Sequence, residues 1–308
     1  MIRIDVCVAT RKRPELLSEL LSSLVRQQRP SELEVRVIVV DNDAERSAEP
    51  VALQFQDSGL EVVYAVEPER NISLARNRGI SLATAEYVAT IDDDATASRD
   101  WLVLMLRCAQ HYRADVVFGA VERVLPRDAP EWIRASGVFQ LPNPPTGTST
   151  GLVFNTINAL FRRGLVERRP GPFDPRFGET GGEDTNLFFN LEREGARLVW
   201  CREAVVTETV LPGRVSLWWI MQRALREGMT YFRVYKRWDI KPDAPFVHRY
   251  FHLLLWVARI CLRIVYYAAI GIARRDSWAV AVRHLRELSF NVGIAAEAAG
   301  FRYQEYRG

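Results

Sequence analysis

EYVATIDDDAT, residues 86–96, decides the fold. Glu86–Ile91 reads as a strand with an apolar run, YVATI, and Asp92, Asp93 and Asp94 follow directly at its carboxyl end. Three adjacent carboxylates repel one another unless positive charge sits among them. A divalent cation with oxygen ligands supplies it, and Mg²⁺ or Mn²⁺ suits hard carboxylates and diphosphate oxygens. Taken alone, the triplet also fits a solvated acidic turn.

The segments before it repeat the pattern. Ile2–Ala9 reads as a strand, and Pro14 suits the first turn of the helix that follows. Leu16, Leu17, Leu20, Leu21, Leu24 and Val25 form one apolar face of that helix. Glu34–Val40 is a β-branched strand ending at Asp41, Leu60–Val66 a third strand and Ile72–Thr84 a helix. After the acidic triplet, Trp101–His111 reads as helix and Asp115–Val121 as strand. Alternation of this kind predicts an α/β fold, a doubly wound and mostly parallel sheet. In such sheets ligands bind beyond the carboxyl ends of the strands. Those ends carry Thr10–Arg13, Asp41 and Asp92–Asp94.

Residues 125–150, rich in Pro, Gly, Ser and Thr, read as a loop over the sheet, with Trp132 as a lid or acceptor contact. A second αβ section follows, with Glu183–Glu194 as helix and Arg197–Cys201 as strand. Gly181-Gly182 permits a tight bend before that helix. Glu183 and Asp184 then fall in its first turn, where the helix dipole favours anions. They read either as ordinary caps or as a carboxylate able to take a proton from an acceptor hydroxyl.

Bulk composition sets the limits. The chain has 308 residues, 48% hydrophobic and 26% charged, which predicts a folded core and argues against wholesale disorder. Net charge is +3, but residues 209–308 hold 16 Lys/Arg against seven Asp/Glu. A basic tail behind an acidic body suggests an anionic partner. Nucleic acid is the weaker choice, since no helix-turn-helix, RNP or zinc-finger pattern is present. Cys7, Cys108, Cys201 and Cys261 form no CxxC and read as free thiols. Met1 leads directly into a strand, which predicts no cleaved leader.

Phe251–Ala273 is the most hydrophobic stretch and is long enough to span a bilayer. Arg259 and Arg263 share one helical face near its middle, however, and charge at bilayer centre is costly. A helix lying in the membrane interface fits better, with Trp256, Tyr266 and Tyr267 at headgroup depth. A helix packed on protein is the plain alternative.

The chain resembles the family 2 glycosyltransferases of GT-A fold, and among them the exopolysaccharide enzymes of succinoglycan type. The resemblance rests on VCVATRKRP (6–14), VIVVDND (37–43), NISLARNRGI (71–80), TIDDDA (90–95), TINALFRR (156–163), GETGGEDTNLF (178–188) and ETVLPGR (208–214), with R-x-x-R-E-G at 223–228. It implies a catalytic domain over 1–213, with a nucleotide-sugar half to about 124 and an acceptor half beyond, then a helical, membrane-proximal region over 214–308.

It implies roles as well. Thr10 and Arg13 would contact the nucleotide, Asp41 the uracil, and Arg76 the base or phosphates. Asp92 and Asp93 would hold ribose and sugar hydroxyls, and Asp94 the metal. Asp184 would be the catalytic base, with Glu183 beside it as an acceptor contact. Many members carry a histidine on a late strand; here Glu208 stands in that stretch, as a substitute ligand or a structural residue. The QxxRW motif of processive members is absent, which favours transfer of a single sugar; Arg223 and Arg226 could still clamp phosphate.

The implied reaction inverts configuration. It takes sugar from a UDP-sugar, with UDP-glucose leading, to a saccharide on a polyprenyl diphosphate at the cytoplasmic face of the inner membrane. Oligomeric state is open. Three rivals remain. Asp92-x-Asp94-x-Thr96 matches the DxDxT signature of haloacid-dehalogenase-type phosphatases, although three candidate strands precede it. The others are a nucleotidyltransferase and a non-catalytic nucleotide-sugar-binding partner of a larger assembly.

Overall fold

The computed structural model describes residues 1–149, 154–236 and 276–301, together with Ala258, Leu262 and Tyr266. By packing, the chain falls into two compact units. One comprises Met1–Val124, Leu141–Glu179 and Glu183–Thr209; the other Leu125–Gln140, Thr180–Gly182 and Val210–Gly308.

The first unit is built on one eight-stranded sheet. Its elements are β1 (Ile2–Thr10), α1 (Pro14–Val25), β2 (Leu33–Asp41), α2 (Glu49–Gln54), β3 (Glu61–Val66), α3 (Ile72–Leu82), β4 (Tyr87–Ile91), β5 (Ala95–Ala97), α4 (Trp101–His111), β6 (Val116–Val124), β7 (Asn158–Arg162), α6 (Glu183–Arg193) and β8 (Leu198–Thr209). Helix α5 (Glu131–Ser136) falls in the other unit. Strand order is β3-β2-β1-β4-β7-β6-β8-β5. The expected parallel core is present: β1 pairs in parallel with β2 and β4, and β2 with β3. Two antiparallel insertions make the sheet mixed. β7 lies between β4 and β6, and short β5 pairs with β8.

Local chemistry explains the elements. Pro14 opens α1, and Leu17, Leu20, Leu21 and Leu24 bury its inner face. Asn71 caps α3, its Oδ1 accepting from Ser73 N (2.9 Å) and Leu74 N (3.3 Å). Helix α6 is held by fully buried Phe188, whose ring meets Phe118 and Phe161 edge-on at 4.9 and 5.9 Å. Between β6 and β8 the register shifts at Gly119/Ala120. Asn158 holds that bulge by donating to the carbonyls of Ala120 and Ala204, both at 2.8 Å, and accepts from Trp101 Nε1 at 2.7 Å. A side chain on Gly119 would collide with the Ala204 carbonyl, so the bulge requires glycine there.

The second unit contains α5, α7 (Leu217–Tyr231) and α8 (Asp276–Ala298). α7 and α8 approach closely at Gly228 and Gly293, where added Cβ atoms would strike the backbone of the facing helix. Arg233 ties the end of this bundle by a two-pronged bond to Glu297 (2.8 and 2.7 Å). The stretch read as a loop over 125–150 therefore contains one short helix. Pro130 at its start and Gly137 at its end, φ 65°, are ordinary boundary residues.

Cys7, Cys108 and Cys201 are buried and free, as expected; Cys261 lies outside the described residues. So does most of 251–273, except Ala258, Leu262 and Tyr266, which are all exposed. Among the described residues no helix is long and apolar enough to cross a membrane.

Candidate active site

The sheet's order turns about β1 and β4, since β2 follows β1 on one side and β4 flanks it on the other. The carboxyl ends of these two strands border the crevice where a doubly wound sheet binds ligand. In-register pairing of β1 with β2 sets Thr10 opposite Asp41. Pairing of β1 with β4 brings Thr10 level with the acidic triplet.

Asp93 is 5% exposed and turns inward. Its Oδ2 accepts from Thr10 Oγ1 at 2.8 Å and its Oδ1 from Arg13 at 2.9 Å. The same guanidinium nitrogen of Arg13 reaches Asp94 Oδ2 at 3.3 Å. Arg13 is thus the positive charge that the adjacent carboxylates need. Burial pushes the Asp93 carboxyl above the usual range, against the downward pull of Arg13 and Thr10. Asp93 forms a strut beneath Thr10 and Arg13, with both oxygens engaged.

Asp92 points the other way. Its Oδ1 accepts from Arg76 at 3.2 Å, and Arg76 also bonds Glu183. One guanidinium on α3 therefore joins the end of β4 to the first turn of α6. Glu183 is buried and its Oε2 has no hydrogen-bond partner. Burial raises its carboxyl to about 7, with Arg76 opposing and Asp184 reinforcing. The expected acceptor contact is thus an inward-facing partner of Arg76. Asp184 is half-buried, and its Oδ1 accepts from Thr185 N at 2.6 Å. The bend that delivers α6 is real: Gly181 and Gly182 have φ of 76° and 99°.

Asp41 is fully buried at the end of β2. Its Oδ2 accepts from Ala48 N (2.7 Å) and Tyr64 Oη (3.0 Å), while Oδ1 is left without a partner. Desolvation pushes the group up. A buried, half-satisfied carboxylate is costly unless a ligand completes it. Beneath Arg76 and Asp92 runs a small cleft walled by Cys7, Thr90, Thr156 and Phe173. The hydroxyls of Thr90 and Thr156 are buried there without partners.

Glu208 lies opposite Ala95 in the β5–β8 ladder, one residue from Asp94, but its Oε2 accepts from Arg123 at 2.7 Å. Among the described residues no group of three or more His, Cys, Asp or Glu could hold a metal by itself. Asp94 still suits a Mg²⁺- or Mn²⁺-type ion, which takes one or two carboxylates and completes its shell with substrate phosphates and water. Trp132, Arg223 and Arg226 belong to the second unit. Trp132 packs against a cluster of Ile133, Phe139, Val210 and Ile220. Arg223 pairs with Glu227 at 3.0 Å and lies over the Trp219 ring at 5.9 Å.

Several participants have no signal strong enough to be read from the sequence. Tyr64 reaches Asp41 only because β3 pairs with β2. Phe173 sits 5.9 Å from the Arg76 guanidinium, nearly a hundred residues away along the chain.

A doubly wound sheet with a mixed insertion and acidic residues at its central strand ends defines a GT-A glycosyltransferase. The sequence matches the model of Glycosyl transferase family 2 over residues 5–169, and the chain belongs to that family. It is 36% identical over 234 residues to the succinoglycan biosynthesis protein ExoM of Rhizobium meliloti, covering 76% of this chain and 75% of that protein. Among solved structures, the mannosyltransferase PcManGT of Pyrobaculum calidifontis, in complex with GDP-Man and Mn²⁺, superposes with a TM-score of 0.66 at 20% identity. That match covers 95% of this chain and 87% of that one. S. aureus TarS 1-349 in complex with UDP-GlcNAc gives 0.58 at 13% identity, covering 98% and 93%. Against a longer TarS chain the coverage of that chain is 55%. At these identities the two structures speak for the fold. Membership of this family sets aside the phosphatase reading of Asp92-x-Asp94-x-Thr96.

Proposed function

We propose that this glycosyltransferase inverts configuration and moves one sugar from a UDP-sugar, with UDP-glucose as the leading donor, to a saccharide acceptor in exopolysaccharide synthesis. The observation that carries the reading is the meeting of Thr10, Arg13, Asp92 and Asp94 at the strand ends with Arg76 and the Glu183-Asp184 turn. The similarity to ExoM supports the biosynthetic setting. The half-satisfied Asp41 supports a uracil-type base, whose ring N–H would donate to Oδ1. TarS, in its UDP-GlcNAc complex, gives a UDP-sugar precedent on the same fold.

In this mechanism Asp41 and Tyr64 orient the base and Arg13 faces the diphosphate. Asp184 takes the proton of the acceptor hydroxyl. The oxygen forms its bond to the anomeric carbon as the bond from that carbon to the phosphate oxygen breaks on the opposite side. One displacement with one base inverts the centre and needs no sugar–enzyme bond. A Mg²⁺ or Mn²⁺ ion held by Asp94 and the diphosphate would neutralise charge on the departing nucleoside diphosphate. The Mn²⁺ in the PcManGT complex supports such use.

The experiment is a donor screen with UDP-, GDP- and dTDP-sugars in the presence of Mn²⁺, read by donor binding and by nucleoside diphosphate release. Binding of a UDP-sugar, weakened about tenfold or more by Asp41→Asn, is expected from loss of one charged hydrogen bond. Absence of binding by every nucleotide sugar would remove the proposal. Pyrophosphate release would favour a nucleotidyltransferase instead. Binding without release under any acceptor would favour the non-catalytic partner.

The acceptor we propose is lipid-linked, on a polyprenyl diphosphate, with the protein peripheral to the cytoplasmic face of the inner membrane. Leu262 and Tyr266 are 71% and 60% exposed, and with exposed Ala258 they recur at every fourth residue, each in helical conformation. Exposed apolar side chains within a basic stretch of sequence suit an anionic membrane surface. Co-sedimentation with anionic vesicles, lost at high salt or in Leu262→Asp/Tyr266→Asp, is expected. A protein that stays wholly in the supernatant would refute the membrane attachment and leave the reaction untouched.

A further inference from the structure

The NISLARNRGI stretch supplies Arg76 to the site, yet its other polar residues face elsewhere. Asn77 Nδ2 donates to the carbonyl of Phe173 at 2.8 Å, and its Oδ1 accepts from the amide of Phe173 at 2.9 Å. One side chain thus grips a single residue of a remote segment by both backbone groups, as a neighbouring strand would. Ser73 Oγ donates to the Asp174 carbonyl and Asn71 Nδ2 to the Pro175 carbonyl, both at 3.0 Å. Three consecutive residues are therefore clamped on the first two turns of α3. The clamp is tight. A Cβ on Gly178 would fall 1.6 Å from Asn71 Oδ1, so a side chain there would push Asn71 out of the clamp.

What this segment does follows from where it leads. Five residues after Gly178 the chain enters α6 at Glu183, and Asp184 is next. Phe173 itself walls the cleft beneath Asp92 and stands under Arg76. The middle of α6 is fixed independently, by Phe188 on β6 and β7. The α3 clamp and Arg76 both tie the approach to α6 to the elements beside the end of β4.

We propose that Asn77, Ser73 and Asn71 are positioning residues for the base: they set the reach from Asp184 to the anomeric carbon of a donor held at Asp92–Asp94. This rests on the reading of Asp184 given above. Polar side chains that satisfy a loop's backbone groups hold it in one conformation. A displacement of about 1 Å of a reacting group can cost about 100-fold in rate. The donor's own contacts at Thr10, Arg13, Asp41 and Asp94 do not involve the clamp.

The test compares Ser73→Ala, Asn77→Asp, Asn77→Ala and Gly178→Ala with Asp184→Asn, all as the full chain. Folding is read by thermal melting, and kcat, donor KM and donor affinity are measured separately. Turnover per folded molecule is expected to fall about 10- to 100-fold in Asn77→Ala and Gly178→Ala, and least in Ser73→Ala, in the order of bonds lost. Asn77→Asp keeps the acceptor and loses the donor, so it should fall between Ser73→Ala and Asn77→Ala. Donor affinity should stay within about twofold of wild type throughout, a split that lowered stability alone does not produce. If Asn77→Ala or, should it fail to fold, Asn77→Asp keeps wild-type kcat, the clamp has no catalytic role. The same holds if donor affinity falls in step with kcat. Wild-type turnover in Asp184→Asn would instead overturn the assignment of the base and leave the clamp data to be read apart from it.

Discussion

Exchange of Asp184 for asparagine is expected to lower kcat by about 10²- to 10⁴-fold, the range that a positioned general base supplies, with donor affinity unchanged. The substitution is nearly isosteric. Asp184 Oδ1 accepts from Thr185 N at 2.6 Å and from Thr185 Oγ1 at 3.3 Å, and an asparagine oxygen keeps both bonds. Helix α6 therefore starts at the same place, held by Phe188 and by the Arg76–Glu183 pair. What disappears is the basic carboxylate and its charge at the helix N-terminus. A base used only as the acceptor hydroxyl is deprotonated affects kcat, because a donor bound in the ground state does not need it. Steady-state kinetics with the donor varied, beside direct donor titration, separate the two. A variant with wild-type turnover, or one that loses donor binding in proportion, would move Asp184 out of the base position.

Glu183 shows why the two neighbours are not exchangeable. Side by side in sequence, their pattern reads as an acidic pair at a helix start, and it was the family resemblance that told base from acceptor contact. The structure turns them in different directions. Glu183 is 5% exposed, locked to Arg76, with its carboxyl pushed up to about 7 by burial. Asp184 stays half-exposed. Helix geometry separates successive residues by about 100°, so one can face the interior and the other the crevice. Which does which depends on the rotation of α6 about its axis, and Phe188 against Phe118 and Phe161 sets that rotation.

The same contrast runs through the rest of the molecule. The central strands were readable because β1, β2 and β4 are largely buried and rich in apolar residues toward their carboxyl ends, VCVA, VIVV and YVATI, each run closing on polar residues. Their ends locate Thr10, Asp41 and Asp92–Asp94 from the sequence alone. β5 was not readable, since three residues, Ala-Thr-Ala, become a strand only by pairing with β8. β7 lay in the TINALFRR stretch, but its antiparallel place between β4 and β6 is a matter of long-range pairing. Arg76 illustrates the limit most clearly. On the sequence it is one arginine in a helix, directed to base or phosphate. Its partners are Asp92, 16 residues on, and Glu183, 107 residues on, and no local pattern encodes such a bridge.

Replacement of Asp94 by alanine is expected to lower turnover by about 10²- to 10³-fold, the scale on which charge stabilisation at a leaving group is lost, and to make donor binding indifferent to metal. Asp93 remains bonded to Thr10 and Arg13 in this variant, so the strand end keeps its fold and the melting temperature should move little. Two changes occur at the site. The carboxylate suited to a Mg²⁺- or Mn²⁺-type ion is gone, and Arg13 loses its second partner at 3.3 Å. Relieved of one of its two carboxylates, Arg13 can lean further toward the diphosphate, which preserves part of the donor affinity while leaving the departing charge poorly neutralised. The diagnostic comparison is therefore fourfold: wild type and Asp94→Ala, each with Mn²⁺ and with EDTA, scored by donor titration as well as by turnover. EDTA should bring the wild type down to the level of the variant and leave the variant where it is. The two perturbations then fail to add, as expected when they remove the same interaction. If EDTA instead depresses Asp94→Ala by the full wild-type factor, the ion is held elsewhere. Glu208, one residue away across the β5–β8 ladder and bonded to Arg123, would be the next carboxylate to replace.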